Sequence, residues 1–257
     1  MLFRSFFIYL YFSAEHKKEK VISLIYSAST IVIVIITLSR GGFVGLIGVG
    51  LIYWWYSPFK FRIILAGLVG AAIAFVLIDP AYWQEMGTIS DTSSGTADTR
   101  IQSWKAGWNM FLHNPFGVGP GNFNVLFGVY QPDGMARDMW GRAAHSLWFT
   151  LIPEMGIIGI FLYLKLIFHC YSDCKWLRKN AITKPVVDTH EFELATACLA
   201  SMTGFFLPST FLSTLYYPHF WYLAVLILCA RKIYEQRSAF GENDEAMLKN
   251  QHKLNMR

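Results

Sequence analysis

Three residues have types and places that could do chemistry together: Arg40, Arg100 and His145. A neutral imidazole accepts a proton near pH 7, so His145 could orient or deprotonate an acceptor hydroxyl. Two guanidinium groups can hold a diphosphate through forked, charge-assisted hydrogen bonds. They would also stabilise the negative charge growing on a leaving diphosphate without help from a metal. Glycosyl transfer from a polyprenyl-diphosphate donor needs those parts.

Each residue has a distinctive setting. His145 opens the pattern His145-Ser146, nine residues, Gly156-Ile157-Ile158-Gly159, where a polar segment meets an apolar helix. The bland alternative for a lone histidine is a hydrogen-bonded interface residue. Arg40 closes Thr37-Leu-Ser-Arg-Gly-Gly42 at a span end, where an arginine is either functional or snorkels to lipid phosphates. Arg100 starts an amphipathic helix, a place the helix dipole disfavours for a cation. Glu154 lies nine residues after His145, about 13 Å along a straight helix, and reads as a buried, hydrogen-bonded residue. Pro153 is expected to kink the helix there. Gly117-Val-Gly-Pro-Gly121 lacks the Lys-Ser/Thr of a phosphate-binding loop and reads as a turn. The cysteines at 170, 174, 198 and 229 lie in or beside apolar runs. They give no ligand set for a metal, and no metal or cofactor is expected.

The elements that must position these residues follow from composition. Of 257 residues, 54% are hydrophobic and 15% charged, against about 25% charged in a soluble domain. Apolar runs near 2–14, 21–38, 43–57, 61–79, 145–169, 193–213 and 217–231 read as membrane spans. The expected fold is therefore all-α: a polytopic transmembrane helical bundle of about seven spans with one large extracytoplasmic loop domain. The domains are 1–79 (N-terminal helices), 80–144 (periplasmic loop domain), 145–232 (C-terminal helices) and 233–257 (cytoplasmic tail).

Basic residues follow alternate runs: Lys17, Lys18 and Lys20; Lys60 and Arg62; Lys175, Arg178, Lys179 and Lys184; Arg231, Lys232 and Arg237. The positive-inside rule puts them all in the cytoplasm and 80–144 outside. The charge is scattered over helix ends, which disfavours a nucleic-acid partner. No cleavable signal peptide is evident, since Met1 leads almost directly into Phe6-Phe7-Ile8 with no small-residue cleavage site.

Within the loop segment the chain leaves the membrane at Asp79-Pro80, and Asp91–Asp98 is polar and helix-capping. A helix is expected at about 99–112, with Ile101, Trp104, Trp108 and Phe111 on one face, which would lie against the membrane surface or cap the bundle. His113-Asn114-Pro115 ends it, and glycine-rich turns follow at Phe116–Asn122 and Pro132–Gly134. Residues 235–257 read as a solvated tail.

Over about 30–170 the sequence resembles the O-antigen ligase and polymerase superfamily, the Wzy-type C-terminal region. The resemblance rests on Ser39-Arg40-Gly41, Arg100-x3-Trp104, Asn114-Pro-Phe-Gly-Val-Gly-Pro-Gly-Asn-Phe123, and His145-Ser146-x9-Gly156-x2-Gly159 with Pro153-Glu154 inside it. It implies a multi-pass enzyme of the bacterial inner membrane, metal-independent and inverting. That enzyme moves glycans from undecaprenyl diphosphate to lipid A-core, to a growing glycan or to a protein. By the resemblance, Arg40 and Arg100 match the family's diphosphate-binding arginines and His145 its catalytic histidine. Family members carry more spans, so the chain looks like a C-terminal half. The rival of another class is a non-catalytic transport component, whose ionisable residues would sit nearer the bilayer midplane.

Overall fold

The computed structural model describes residues 4–37, 40–57, 59–77, 95–134, 140–183 and 189–255. Every element among them is an α-helix. They are α1 (Arg4–Ser13), α2 (Lys17–Ile36), α3 (Arg40–Tyr56), α4 (Lys60–Leu77) and α5 (Gly95–His113). Then come α6 (Phe123–Tyr130), α7 (Leu147–Thr183), α8 (Thr189–Ser209) and α9 (His219–Asn255). Ser39, the Asp79-Pro80 exit and the start of the Asp91–Asp98 stretch lie outside the described residues.

The all-α expectation holds, but the seven-span bundle does not. Among the described residues one helix, α7, is long and apolar enough to cross a membrane. The same finding overturns the multi-pass inner-membrane localisation. The physical reasons differ between helices. α1 has only 10 residues, and the apolar part of α3, Gly41–Tyr56, is shorter than a crossing needs. α2 opens on Lys17, Lys18, Glu19 and Lys20. α8 opens on Thr189, His190, Glu191 and Glu193 and carries Thr and Ser along its length, which makes it too polar for a crossing, and Ala195 to Met202 are buried among neighbouring helices. α9 meets Arg231 and Lys232 after about three turns and then runs on as helix through the polar stretch read as a solvated tail.

α8 is the hub. It packs along α3 and α7 and also touches α1 and α9. Small residues let α3 come close: a Cβ on Gly45 would stand 3.0 Å from the Gly204 carbonyl oxygen, and one on Gly204 2.7 Å from Val49. The main core joins Leu147, Leu151 and Tyr163 of α7, Cys198, Leu199 and Phe205 of α8, and Phe220, Leu223 and Ile227 of α9. A second core of Ala106, Met110, Phe123, Phe127 and Ala144 holds α5 and α6 together.

α5 docks on α7 mainly by a face of small residues, and Trp104 of the aromatic face stacks on Phe149 beside it. Ser103, Ala106, Gly107 and Met110 are buried, at helical spacing. Trp108 stays exposed. A Cβ on Gly107 would lie 3.2 Å from the Phe149 carbonyl oxygen. That carbonyl has no helical donor, because the residue four places on is Pro153. Proline chemistry and a small residue thus set the approach of α5.

Candidate functional site

His145 sits in a strap, residues 140–146, between α6 and α7. Trp140 begins the strap by lying on Gly128, where a Cβ would come within 2.7 Å of the indole. Arg142 follows and donates from Nη2 to Thr99 Oγ1 at 2.9 Å, which ties the strap to the first turns of α5. The Ala144 carbonyl accepts Trp104 Nε1–H at 2.9 Å. Ser146 is buried and caps α7: its Oγ accepts the Phe149 N–H at 3.4 Å, and its carbonyl accepts the Thr150 N–H at 3.1 Å.

His145 is held between those clamps at φ 48°, the one positive φ of a non-glycine residue among the described residues. A left-handed backbone disfavours residues with a Cβ and tends to occur where geometry serves function. The serine of the His-Ser pair thus has a helix-capping reason, and the histidine is turned out of the helix by the same cap.

Arg100, one residue from Thr99, and Arg142 both act on the imidazole. Burial first, then Arg100, then Arg142, push the His145 pKa below the ordinary histidine value. The ring is therefore neutral at pH 7 and able to accept a proton, with two guanidinium groups close by. Arg142 was not singled out in the sequence. Its signal was there: a cation three residues before the histidine, behind a glycine turn at Gly141.

Arg40 is the first residue of α3, and its side chain lies outside the described residues. Its helix end is placed by the α8–α9 turn. A Cβ on Gly41 would lie 3.4 Å from Leu212 and 3.5 Å from Pro208. The same turn reaches the histidine strap. Phe211 packs against Trp104 at 6.4 Å between ring centroids, and Trp148 Nε1 donates to Thr210 at 3.3 Å. Arg100 acts on His145 through its charge, and the backbone beside Arg40, at Gly41, packs on the turn that also meets Trp104 and Trp148.

The glycine pattern and the Asn114–Phe123 run form one module. α7 breaks at Gly156, with φ 60° and ψ −166°. The Ile157 N–H therefore bonds the Pro115 carbonyl at 2.9 Å. The carbonyls of Pro153 and Glu154 in turn accept the N–H groups of Val118 and Gly119 at 2.8 and 3.0 Å. These amides are committed to backbone, so the glycine loop is a turn and not a phosphate cradle. Glu154, 3% exposed, accepts the Phe123 N–H at 2.9 Å and the Tyr216 hydroxyl. It is the buried, hydrogen-bonded residue the sequence suggested. Tyr216 had no local signal, since its partner is 62 residues away.

Among the described residues, no three His, Cys, Asp or Glu side chains gather as a metal site. Cys170, Cys174 and Cys198 are buried and unpaired by disulfide.

No curated protein and no solved structure matches the chain significantly. The family model described as O-antigen ligase matches residues 25–164. That stretch covers more than half of the chain and takes in the α3 start, the Arg100 turn, the histidine strap and the glycine module. The chain belongs to the O-antigen ligase family.

Proposed function

We propose that the cluster of Arg100, Arg142 and His145 transfers a glycan from undecaprenyl diphosphate to an acceptor hydroxyl, on lipid A-core or a similar surface glycan at the periplasmic face. Family membership carries the general class: a membrane-associated enzyme of the O-antigen ligase type acting on lipid-linked glycans. The observation that carries the finer reading is the neutral imidazole of His145 held beside two arginines.

His145 takes the proton of the acceptor hydroxyl. The acceptor oxygen bonds to the anomeric carbon as the bond from that carbon to the diphosphate oxygen breaks. The leaving lipid diphosphate carries the electron pair, and Arg100 with Arg40 holds its charge. The proton on the imidazole then passes to water. Arg142 and His145 stand just before the first residue of α7, which among the described residues is the one helix long and apolar enough to cross a membrane. That placement favours chemistry at a membrane surface over a transport route through its middle.

The test is transfer of a radiolabelled lipid-linked glycan in membranes containing the full chain, with EDTA present. His145→Ala should lower transfer about 10²–10⁴-fold. Arg100→Lys should weaken donor use, because a point charge cannot replace a bidentate fork. Near-normal transfer by His145→Ala removes it from the mechanism. Transfer abolished by EDTA and restored by added metal defeats the metal-free arginine reading.

A further inference from the structure

The α8–α9 turn lies outside the stretch matched by the family model, yet it packs against Trp104, Trp148 and Glu154 beside the site. Three of its aromatic rings, Phe211, Tyr216 and Tyr217, are exposed there, and the first two are held by neighbours of the site. Phe211 is 44% exposed and ends a line of three rings. Phe149 stacks on Trp104 at 5.0 Å with 2° between planes, and Phe211 packs against the same indole at 6.4 Å and 35°. Trp104 is also the residue that holds the carbonyl next to His145. The line of rings therefore begins in the core and surfaces beside the histidine strap.

Tyr216 is 50% exposed, but its polar end is the covered one. Its hydroxyl donates to the buried Glu154 carboxylate. Burial, then Glu154, hold the phenol protonated above the ordinary tyrosine range, and the Gly121 amide faces the same oxygen. The turn beneath is rigid. Thr214 Oγ1 bonds Ser209 Oγ at 2.7 Å, the Tyr217 N–H bonds the Thr214 carbonyl at 3.0 Å, and Leu215 is buried. A tyrosine at a lipid interface buries its ring among acyl chains and leaves its hydroxyl wet. Tyr216 does the reverse, presenting a fixed ring face and hiding its hydroxyl.

We propose that Phe211 and Tyr216 form a sugar-binding platform, a subsite for pyranose rings of the glycan that continues from the reacting centre at His145. The axial C–H face of a pyranose is apolar and slightly positive, and an aromatic ring presents a negative face to it. Tyr216 is anchored at Glu154, and Phe211 at Trp104, whose indole holds the carbonyl next to His145, so the rings stand at two separate anchors beside the reacting centre. This inference rests on the glycan-transfer reading for its choice of ligand.

The experiment uses the full chain in nanodiscs with three soluble probes, maltotriose, chitotriose and a galactose trisaccharide, read by saturation-transfer NMR. At least one trisaccharide should bind the unsubstituted chain. Phe211→Leu and Tyr216→Leu should each weaken that binding about tenfold, while Tyr216→Phe, which keeps the ring, stays close to the parent. Tyr216→Leu strips Glu154 of a donor and could fail to fold; Phe211→Leu touches no such bond and then carries the test. Inorganic diphosphate binding is measured in parallel. Its failure with saccharide binding intact counts against the donor reading and not against the platform. The platform is overturned if no trisaccharide binds, or if Phe211→Leu binds as tightly as the parent. It is also overturned if Phe211→Trp adds fluorescence that brominated acyl chains quench, which would place the ring in lipid.

Discussion

Gly117 and Gly156 meet backbone to backbone, with no room for a side chain between them. A Cβ on Gly156 would stand 2.4 Å from the Gly117 nitrogen and 2.2 Å from the Phe116 carbonyl carbon. The contact lets Ile157, Val118 and Gly119 exchange hydrogen bonds with backbone 35 to 42 residues away in sequence, and it breaks α7 at the same point. The glycine pattern is therefore a packing device, and the histidine it accompanies is placed by a different set of bonds.

Gly156→Ala is the first consequence. It forces a Cβ into backbone at a φ/ψ that essentially only glycine adopts, and it should lower stability by about 3 kcal/mol or more. Gly121 also has a positive φ, 75°, but nothing lies within 4 Å of its Cβ position. Gly121→Ala carries only the left-handed penalty of about 1–2 kcal/mol. Melting temperatures of the two variants in one detergent separate close approach from backbone strain. Equal losses would show that the contact with Gly117 contributes nothing.

Much of this was legible where local rules apply. The C-terminal end of α5 at His113-Asn114-Pro115, the turns and a break in α7 soon after Pro153, at Gly156, follow from proline, glycine and periodicity, while α5 starts at Gly95, one turn before the expected 99. The spans were overcounted because an apolar run reads the same whether it faces lipid or protein, and α8 faces protein. The small-residue face of α5 gave no signal because periodicity marks large apolar residues, while Gly107 and Ala106 do the close packing. Arg142 was missed because its value depends on Thr99, a distant residue that the fold brings near. The Tyr216–Glu154 bond is fixed by tertiary packing alone.

The pH dependence of transfer follows from the sign of the His145 shift. A base must be neutral to work, and its pKa is lowered by burial, Arg100 and Arg142. The loss of kcat/KM on acidification should therefore fall below the ordinary histidine value of about 6.5. Arg142→Gln removes one positive charge, favours the imidazolium and should move that limb upward. Stability follows the same sign. The unfolded chain takes the proton first, so stability falls as pH drops through the ordinary value towards the folded one. The measurement is NMR titration of labelled histidine, assigned with His145→Gln, beside the pH–rate profile. A limb that Arg142→Gln leaves in place would separate Arg142 from the imidazole electrostatically.

The position of Arg40 can be tested without touching it. α3 carries Arg40 at its first residue and is seated on α8 through glycines. Gly45 faces the Gly204 carbonyl, 3.0 Å from a Cβ position, and backbone cannot step aside as a side chain can. Gly45→Leu should push α3 away from α8 and move the turn that carries Arg40. Gly50, on the same helix, has nothing within 4 Å of its Cβ position. Gly50→Ala should be neutral or stabilising by up to about 1 kcal/mol, since it removes glycine from a helix interior. If Arg40 holds the donor diphosphate, Gly45→Leu raises the donor KM with a smaller change in acceptor KM, and Gly50→Ala changes neither. Gly45→Leu with a lowered melting temperature but an unchanged donor KM would take Arg40 out of the donor site and leave the diphosphate to Arg100 and Arg142.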